Sequence, residues 1–199
     1  MDMDFQRTLS LLSSMYLCQP TREAIENWKT LLSEDVPDLL VDSKNALGQI
    51  DPNSEQELED LLWEYTRLFI GPYKLPCPPW ESVYTSPQRL MMQEACDEVE
   101  GFYREIGLTI NNTQVMPDHI GVELNFLAVL CGKINNDPEK SLYFMGIAKR
   151  FWDEHLQRWV PQFTMDMEVA AHFPIYKSLA RVTRDFITSQ LNLLDHSRS

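Results

Sequence analysis

The sequence predicts an all-α protein, a globular bundle of about nine or ten helices. Apolar residues recur every three or four positions in one segment after another, and no segment alternates with the period of two that a half-buried strand requires. Only 7 glycines are available for tight turns, too few for a chain built of many short strands. No self-similar unit of roughly 20 to 50 residues recurs, which argues against a solenoid.

The elements follow in order. Phe5, Leu9, Leu12 and Tyr16 mark a first helix that stops at Gln19-Pro20, where proline restricts the preceding residue. Thr21 can cap a second helix carrying Ile25, Trp28 and Leu32, and Pro37 begins or precedes a short helical turn. Asn53 or Ser54 starts an acidic helix with Leu58, Leu61, Leu62, Tyr65, Leu68 and Phe69 on one stripe, ended by Gly71-Pro72. Prolines 72, 76, 78, 79 and 87 make the segment 71–87 an irregular or extended loop. After Pro87 a helix is expected through Leu90, Met91, Ala95, Val99, Phe102 and Ile106, closed by Gly107. A linker, 108–115, precedes a helix opened by Pro117, striped with Ile120, Leu124, Leu127 and Leu130, and closed near Gly132. Asp137-Pro138 starts another with Leu142, Met145, Ala148 and Trp152. Trp159, Phe163, Met167 and Ala170 continue the period after Pro161, and Tyr176, Leu179, Val182, Phe186 and Leu191 complete the chain.

Composition narrows the function. The formal charge is −13, from 17 basic and 30 acidic residues, with an isoelectric point near 4.6. That balance disfavours nucleic acid and anionic membrane surfaces and favours a cationic partner. Before Lys149, 10 basic residues face 24 acidic ones, so the acidic field belongs to the first three quarters of the chain. Acidity alone would equally serve solubility. The cysteines, 18, 77, 96 and 131, form no C-x-x-C pair and Asp2 and Asp4 stand where a signal peptide would be basic, so a reducing cytoplasm is expected. No apolar run reaches the roughly 20 residues of a membrane span. A chain of this length buries roughly 70% of its unfolded surface, enough for a purely apolar core without metal or disulfide.

The motifs of catalysis are missing. There is no G-x-x-x-x-G-K-S/T loop, no G-x-G-x-x-G and no G-x-S-x-G elbow. His119 with Glu123 and Glu168 with His172 are four apart and do not match the Glu-x-x-His spacing of helical di-metal sites. No cofactor, metal or catalytic residue is expected, and His155, His172 and His196 read as helix-end or rim histidines. Two segments ask for more. Pro76-Cys77-Pro78-Pro79-Trp80-Glu81-Ser82-Val83-Tyr84 is a stiff platform whose Trp80 and Tyr84 either grip an extended chain or fold inward over the core. Met116-Pro117-Asp118-His119-Ile120-Gly121 places Asp118 at or beside a helix start, where it can cap the helix or pair with an arginine in bidentate fashion.

Four motifs stand in order: Tyr65-x-x-Leu68-Phe69-x-Gly71-Pro72, then Pro78-Pro79-Trp80-Glu81-Ser82-Val83-Tyr84, then Pro117-Asp118-His119-Ile120 with Glu123-Leu124, then His155-Leu156-x-x-Trp159-x-Pro161-x-Phe163. With them the chain resembles the TorD/DmsD family of redox-enzyme maturation chaperones, most nearly its DmsD branch. The resemblance implies an all-helical N-terminal part, 1–107, a hinge at 108–117 and a C-terminal part, 118–199, which pack as one unit or as two. It also implies a cytoplasmic chaperone, not an enzyme. Such a chaperone binds the twin-arginine signal peptide of a molybdenum-cofactor oxidoreductase, such as a dimethyl sulfoxide reductase catalytic subunit, and meets Tat translocase components. The implied leader-binding residues are Leu68, Phe69, Pro79, Trp80, Tyr84, Asp118 and His119. Tyr84 stands where the family's tryptophan is expected and Glu81 where a glycine is familiar, which touches the choice of client. A general holdase for apolar helices and a nucleotide-dependent switch are the alternatives.

Overall fold

The computed structural model describes residues 3–32, 36–91, 94–109 and 115–189. Over these the regular structure is helical, as expected, with no strand; two residues, Trp80 and His119, meet in an isolated antiparallel bridge. The helices are α1 (Met3–Leu17), α2 (Arg22–Leu31), α3 (Val41–Gly48), α4 (Glu55–Phe69), α5 (Glu81–Thr85), α6 (Glu94–Glu105), α7 (Ile120–Asn136), α8 (Ser141–Phe151), α9 (Gln157–Ala170) and α10 (Pro174–Ser189). A 3-10 turn, Asp38–Leu40, leads into α3, and a π turn, Trp152–Leu156, joins α8 to α9.

Local signals place several ends. Thr21 Oγ1 accepts the Ala24 N–H at 3.2 Å and Ser54 Oγ the Glu57 N–H at 3.3 Å, so both are true N-caps. Gly71 takes φ +105° and its N–H reaches the Thr66 carbonyl at 2.9 Å, closing α4 in the left-handed conformation that a side chain would resist.

The centre of the bundle is α7, whose Ile120, Leu124, Leu127, Leu130 and Cys131 are all buried. A helix apolar on most sides belongs inside. Its first turn lies tight against α1: a Cβ on Gly121 would sit 2.5 Å from Leu17 Cγ and 3.2 Å from the Ser13 carbonyl. The Ser13 hydroxyl donates to the Gly121 carbonyl at 2.7 Å across that contact. Tyr65 on α4 donates to the Tyr16 carbonyl of α1 at 2.8 Å, and Tyr176 on α10 to the Leu61 carbonyl of α4 at 3.1 Å. Elements from both ends of the chain thus share one core.

Several sequence expectations are corrected. The segment 71–87 is not wholly irregular, because α5 forms inside it. Pro87 does not open a helix: α6 begins at Glu94, and Leu90 and Met91 are exposed outside it. Gly132 lies inside α7, which runs on to Asn136. Leu142 is 77% exposed; Ala148 and Trp152 are buried as expected, and α8 buries Phe144, Ile147 and Phe151 beside Ala148. Pro161 is internal to α9; it supplies no N–H for the Gln157 carbonyl, and the widened π turn precedes it. Part of the expected hinge, 110–114, together with Leu191 and His196, lies outside the described residues.

Candidate functional site

The site begins where α4 ends. Gly71 turns the chain into the proline-rich stretch, and Cys77 anchors it by packing its buried thiol on the Leu68 carbonyl at 3.7 Å. Leu68 and Phe69 face the core, with the Phe69 ring edge-on to Tyr16, Tyr65 and Tyr176. The stretch is then stitched to the start of α7. The Ile120 N–H donates to the Pro79 carbonyl at 2.9 Å, and the Glu81 N–H to the Asp118 carbonyl at 3.0 Å. Asp118 does not cap its own helix. Its Oδ2 accepts the Ser82 N–H at 3.0 Å and so caps α5, while His119 Nδ1 accepts the Gly121 N–H at 3.1 Å and caps α7. Burial pushes the His119 imidazole down to about 4, which keeps Nδ1 free to accept. The Trp80 ring stands edge-on to His119 at 6.1 Å.

Behind this seam lies a buried polar cluster that sequence reasoning did not assemble. Glu81, Asp118 and Glu123 are each fully buried. Glu81 Oε2 lies 2.8 Å from His155 Nδ1, and the Trp159 indole N–H donates to Glu123 Oε2 at 3.1 Å. Burial first, then the neighbouring Glu81 and Asp118, push the Glu123 carboxyl well above its ordinary range, so it carries a proton and can donate to Glu81. The cluster bolts α5, α7, the π turn and α9 together. His155 is therefore a core residue and not a rim histidine, because the π turn carries it inward. A His119-to-Glu123 spacing of one turn was the available signal; the 74-residue separation of Glu81 and His155 offered none. His172, 66% exposed at its side chain and 3.4 Å from Glu64, does sit on a rim.

In front of the seam is an open groove of about 1130 Å³. Ile70 and the loop from Lys74 to Pro78 form one wall, Trp80, Val83 and the turn from Gln88 to Met91 another, and Met165, Asp166, Val169 and Ala170 of α9 a third. Much of this lining is bare hydrocarbon: Val169 is 88% exposed, Ile70 55%, Met165 45% and Met91 44%. One end is pinned by Glu64, which accepts from Arg67 at 2.8 and 2.9 Å and from the His172 N–H at 2.6 Å, while Arg67 also donates to the Ala170 carbonyl at 2.7 Å. Burial alone would raise the Glu64 carboxyl; these partners outweigh it and hold the carboxyl below its ordinary range.

The sequence-predicted residues are gathered around this groove in different roles. Trp80 lines it. Tyr84 is half-buried behind it, its ring on Trp159 at 5.6 Å and Phe163 at 6.1 Å. Pro79, Leu68, Phe69, Asp118 and His119 are buried and back the wall. The carboxylate that lines the groove is Asp166. Among the described residues no group of three or more His, Cys, Asp or Glu is arranged to hold a metal, and no helix is long and apolar enough to cross a membrane.

Comparison with known proteins bears on the family and the fold. Residues 14–165 match the family model described as nitrate reductase delta subunit. The probable Tat proofreading chaperone DmsD of Haemophilus influenzae is 29% identical over 141 residues, covering 70% of this chain and 63% of that protein, just under two thirds of its length. The chaperone protein TorD of Aliivibrio salmonicida is 24% identical over 197 residues, covering 92% and 91%. A crystal structure described as a redox enzyme maturation protein, from Archaeoglobus fulgidus, superposes with a TM-score of 0.64 over 92% of this chain and 93% of that one, at 24% identity, and speaks to the shared fold.

Proposed function

The chain belongs to the nitrate reductase delta subunit family, among its TorD/DmsD maturation chaperones and not among enzymes, and on that premise we propose that it binds a twin-arginine signal peptide. The client is a molybdenum-cofactor oxidoreductase of the dimethyl sulfoxide reductase type, held in the cytoplasm until its cofactor is in place and then released for Tat export. Contact with Tat translocase components belongs to the same reading.

The observation that carries it is the groove: an open, methionine- and valine-lined channel framed by rigid aromatics on an otherwise acidic protein. A twin-arginine leader is cationic and then apolar, and an amphipathic helix laid in a hydrophobic groove is a recurrent mode of peptide recognition. Methionine side chains adapt to varied apolar partners. Three or four leader side chains seated there supply roughly 5 to 10 kcal/mol before ordering costs, against about 8 kcal/mol for micromolar binding. Trp80 and Val83 make direct contacts in this reading. Leu68, Phe69, Pro79, Tyr84, Asp118 and His119 fix the wall that carries them.

The test is tryptophan fluorescence titrated with a synthetic leader and with its twin-alanine counterpart. Saturable change with the first and little with the second is expected, and Trp80→Ala should weaken binding at least fivefold, about 1 kcal/mol for an interface aromatic. Equal binding of both leaders, or full competition by an unrelated apolar helix, would make the protein a general holdase and sink the proposal. Heat on titration with guanosine nucleotide would point to a switch instead.

A further inference from the structure

The groove carries Lys74 and Arg89 against Asp166, and its two ends are told apart by what lies beyond each. At one end the Arg89 guanidinium lies over the Tyr84 ring at 5.5 Å, and that ring rests on Trp159 and Phe163 in the first half of α9. At the other, Arg67 reaches the Ala170 carbonyl, so the C-terminal ends of α4 and α9 meet. Phe163 and Ala170 are seven residues apart, about 10 Å of helix.

Beyond the second end the solvent side of α4 prolongs the apolar surface. Ile70 and Trp63, also seven residues apart, share one helix face. Trp63 is 62% exposed, far more than an indole with only a core role. Glu59 and Asp60 follow one turn further along that face, both exposed, and among the described residues no Lys or Arg pairs with them. Arg67, 5.9 Å from the Trp63 ring, is already matched by both oxygens of Glu64.

We propose, resting on the leader-binding reading above, that the leader lies in one direction only, with its apolar stretch in the groove and its arginine pair over Trp63 between Glu59 and Asp60. The free face of the indole offers a guanidinium a stacking surface while the two carboxylates accept its planar fork. A lysine can use the charge but not the plane, so this subsite distinguishes arginine from lysine.

The experiment uses the full chain and a leader carrying benzophenone beside its arginines, with the cross-links located by mass spectrometry. Cross-links should fall on residues 55–66. Trp63→Ala, and separately the double variant Glu59→Gln/Asp60→Asn, should weaken the arginine leader about tenfold and erase its preference over a twin-lysine leader, with the thermal midpoint unchanged. Cross-links to the turn at 86–91, or variants that keep the arginine-over-lysine preference, overturn the direction and the subsite. Self-association of leader-free protein that buries Trp63, seen by sedimentation, gives the surface to a second copy and overturns them as well. Failure of the unaltered protein to bind the arginine leader overturns the function itself, a result distinct from the others.

Discussion

His119 and Glu123 stand one turn apart on α7 and respond to pH with opposite signs. The unfolded chain takes up a proton on His119 near 6.5, whereas the folded chain refuses it until about 4. Stability from this group is therefore complete above 6.5 and falls by about 3 kcal/mol as pH drops through 4. Glu123 is raised, so the folded chain keeps a proton that the unfolded chain releases near 4.5. Its contribution is complete below 4.5 and declines as pH rises above that value. His119→Asn keeps an N-cap acceptor for Gly121 and should flatten the acid limb of a stability curve read by urea denaturation from pH 4 to 8. Glu123→Gln copies the protonated acid, still accepts from Trp159, and should remove the fall on the other side. Unchanged slopes would mean that neither group is enclosed as described. These two residues were visible in the sequence as a one-turn pair, but their environment was not, because it is made by Glu81, His155 and Trp159 arriving from distant segments.

Among the helices, the contact of α1 with α7 is the least forgiving. Gly121→Ala would drive a methyl into Leu17 and the Ser13 backbone and should cost about 1 to 3 kcal/mol. Gly132→Ala, on the same helix, meets only the end of the Gln6 side chain at 3.4 Å and should be neutral or stabilising by up to about 1 kcal/mol. Thermal unfolding of the two variants decides between this reading and one in which both glycines merely lower helix propensity. What could be read in advance divides along the same line. Thr21, Ser54 and Gly71 announced their ends because capping is settled within a few residues. The five-residue α5 did not, since its N-terminal amide is capped by Asp118 from 36 residues away. Pro87 misled in the other direction: it fits a first helical turn, yet α6 waits until Glu94, and the turn between helps to form the groove. The motif residues were read as one site; that most of them lie buried behind the groove depended on burial, which spacing does not encode.

At the scale of the molecule, the −13 charge acts before contact is made. With a screening length of about 10 Å at 0.1 M salt, the acidic field steers a cationic leader only over short range. Raising the ionic strength from about 0.05 to 0.5 M should slow association several-fold in stopped-flow while the dissociation rate rises less, because the contacts seated in the groove are apolar and only the arginine pairs with Glu59 and Asp60 are screened. A dissociation rate that rises as steeply as association falls would move the affinity from the groove to the charges. The acidity of the first three quarters of the chain was legible from composition, but which of its carboxylates are buried, as Glu81, Asp118 and Glu123 are, and which stand exposed beside Trp63, as Glu59 and Asp60 do, required the fold. The π turn at Trp152–Leu156 acts on this same scale as a phase shifter. One surplus residue between α8 and α9 lets Phe151, His155, Trp159 and Phe163 all face inward across the joint. Inserting a further residue into this already widened turn would rotate everything downstream by about 100°. His155 would leave Glu81, Trp159 would leave Glu123, and Met165 and Val169 would swing off the channel together, so the joint should tolerate changes of residue type far better than changes of length.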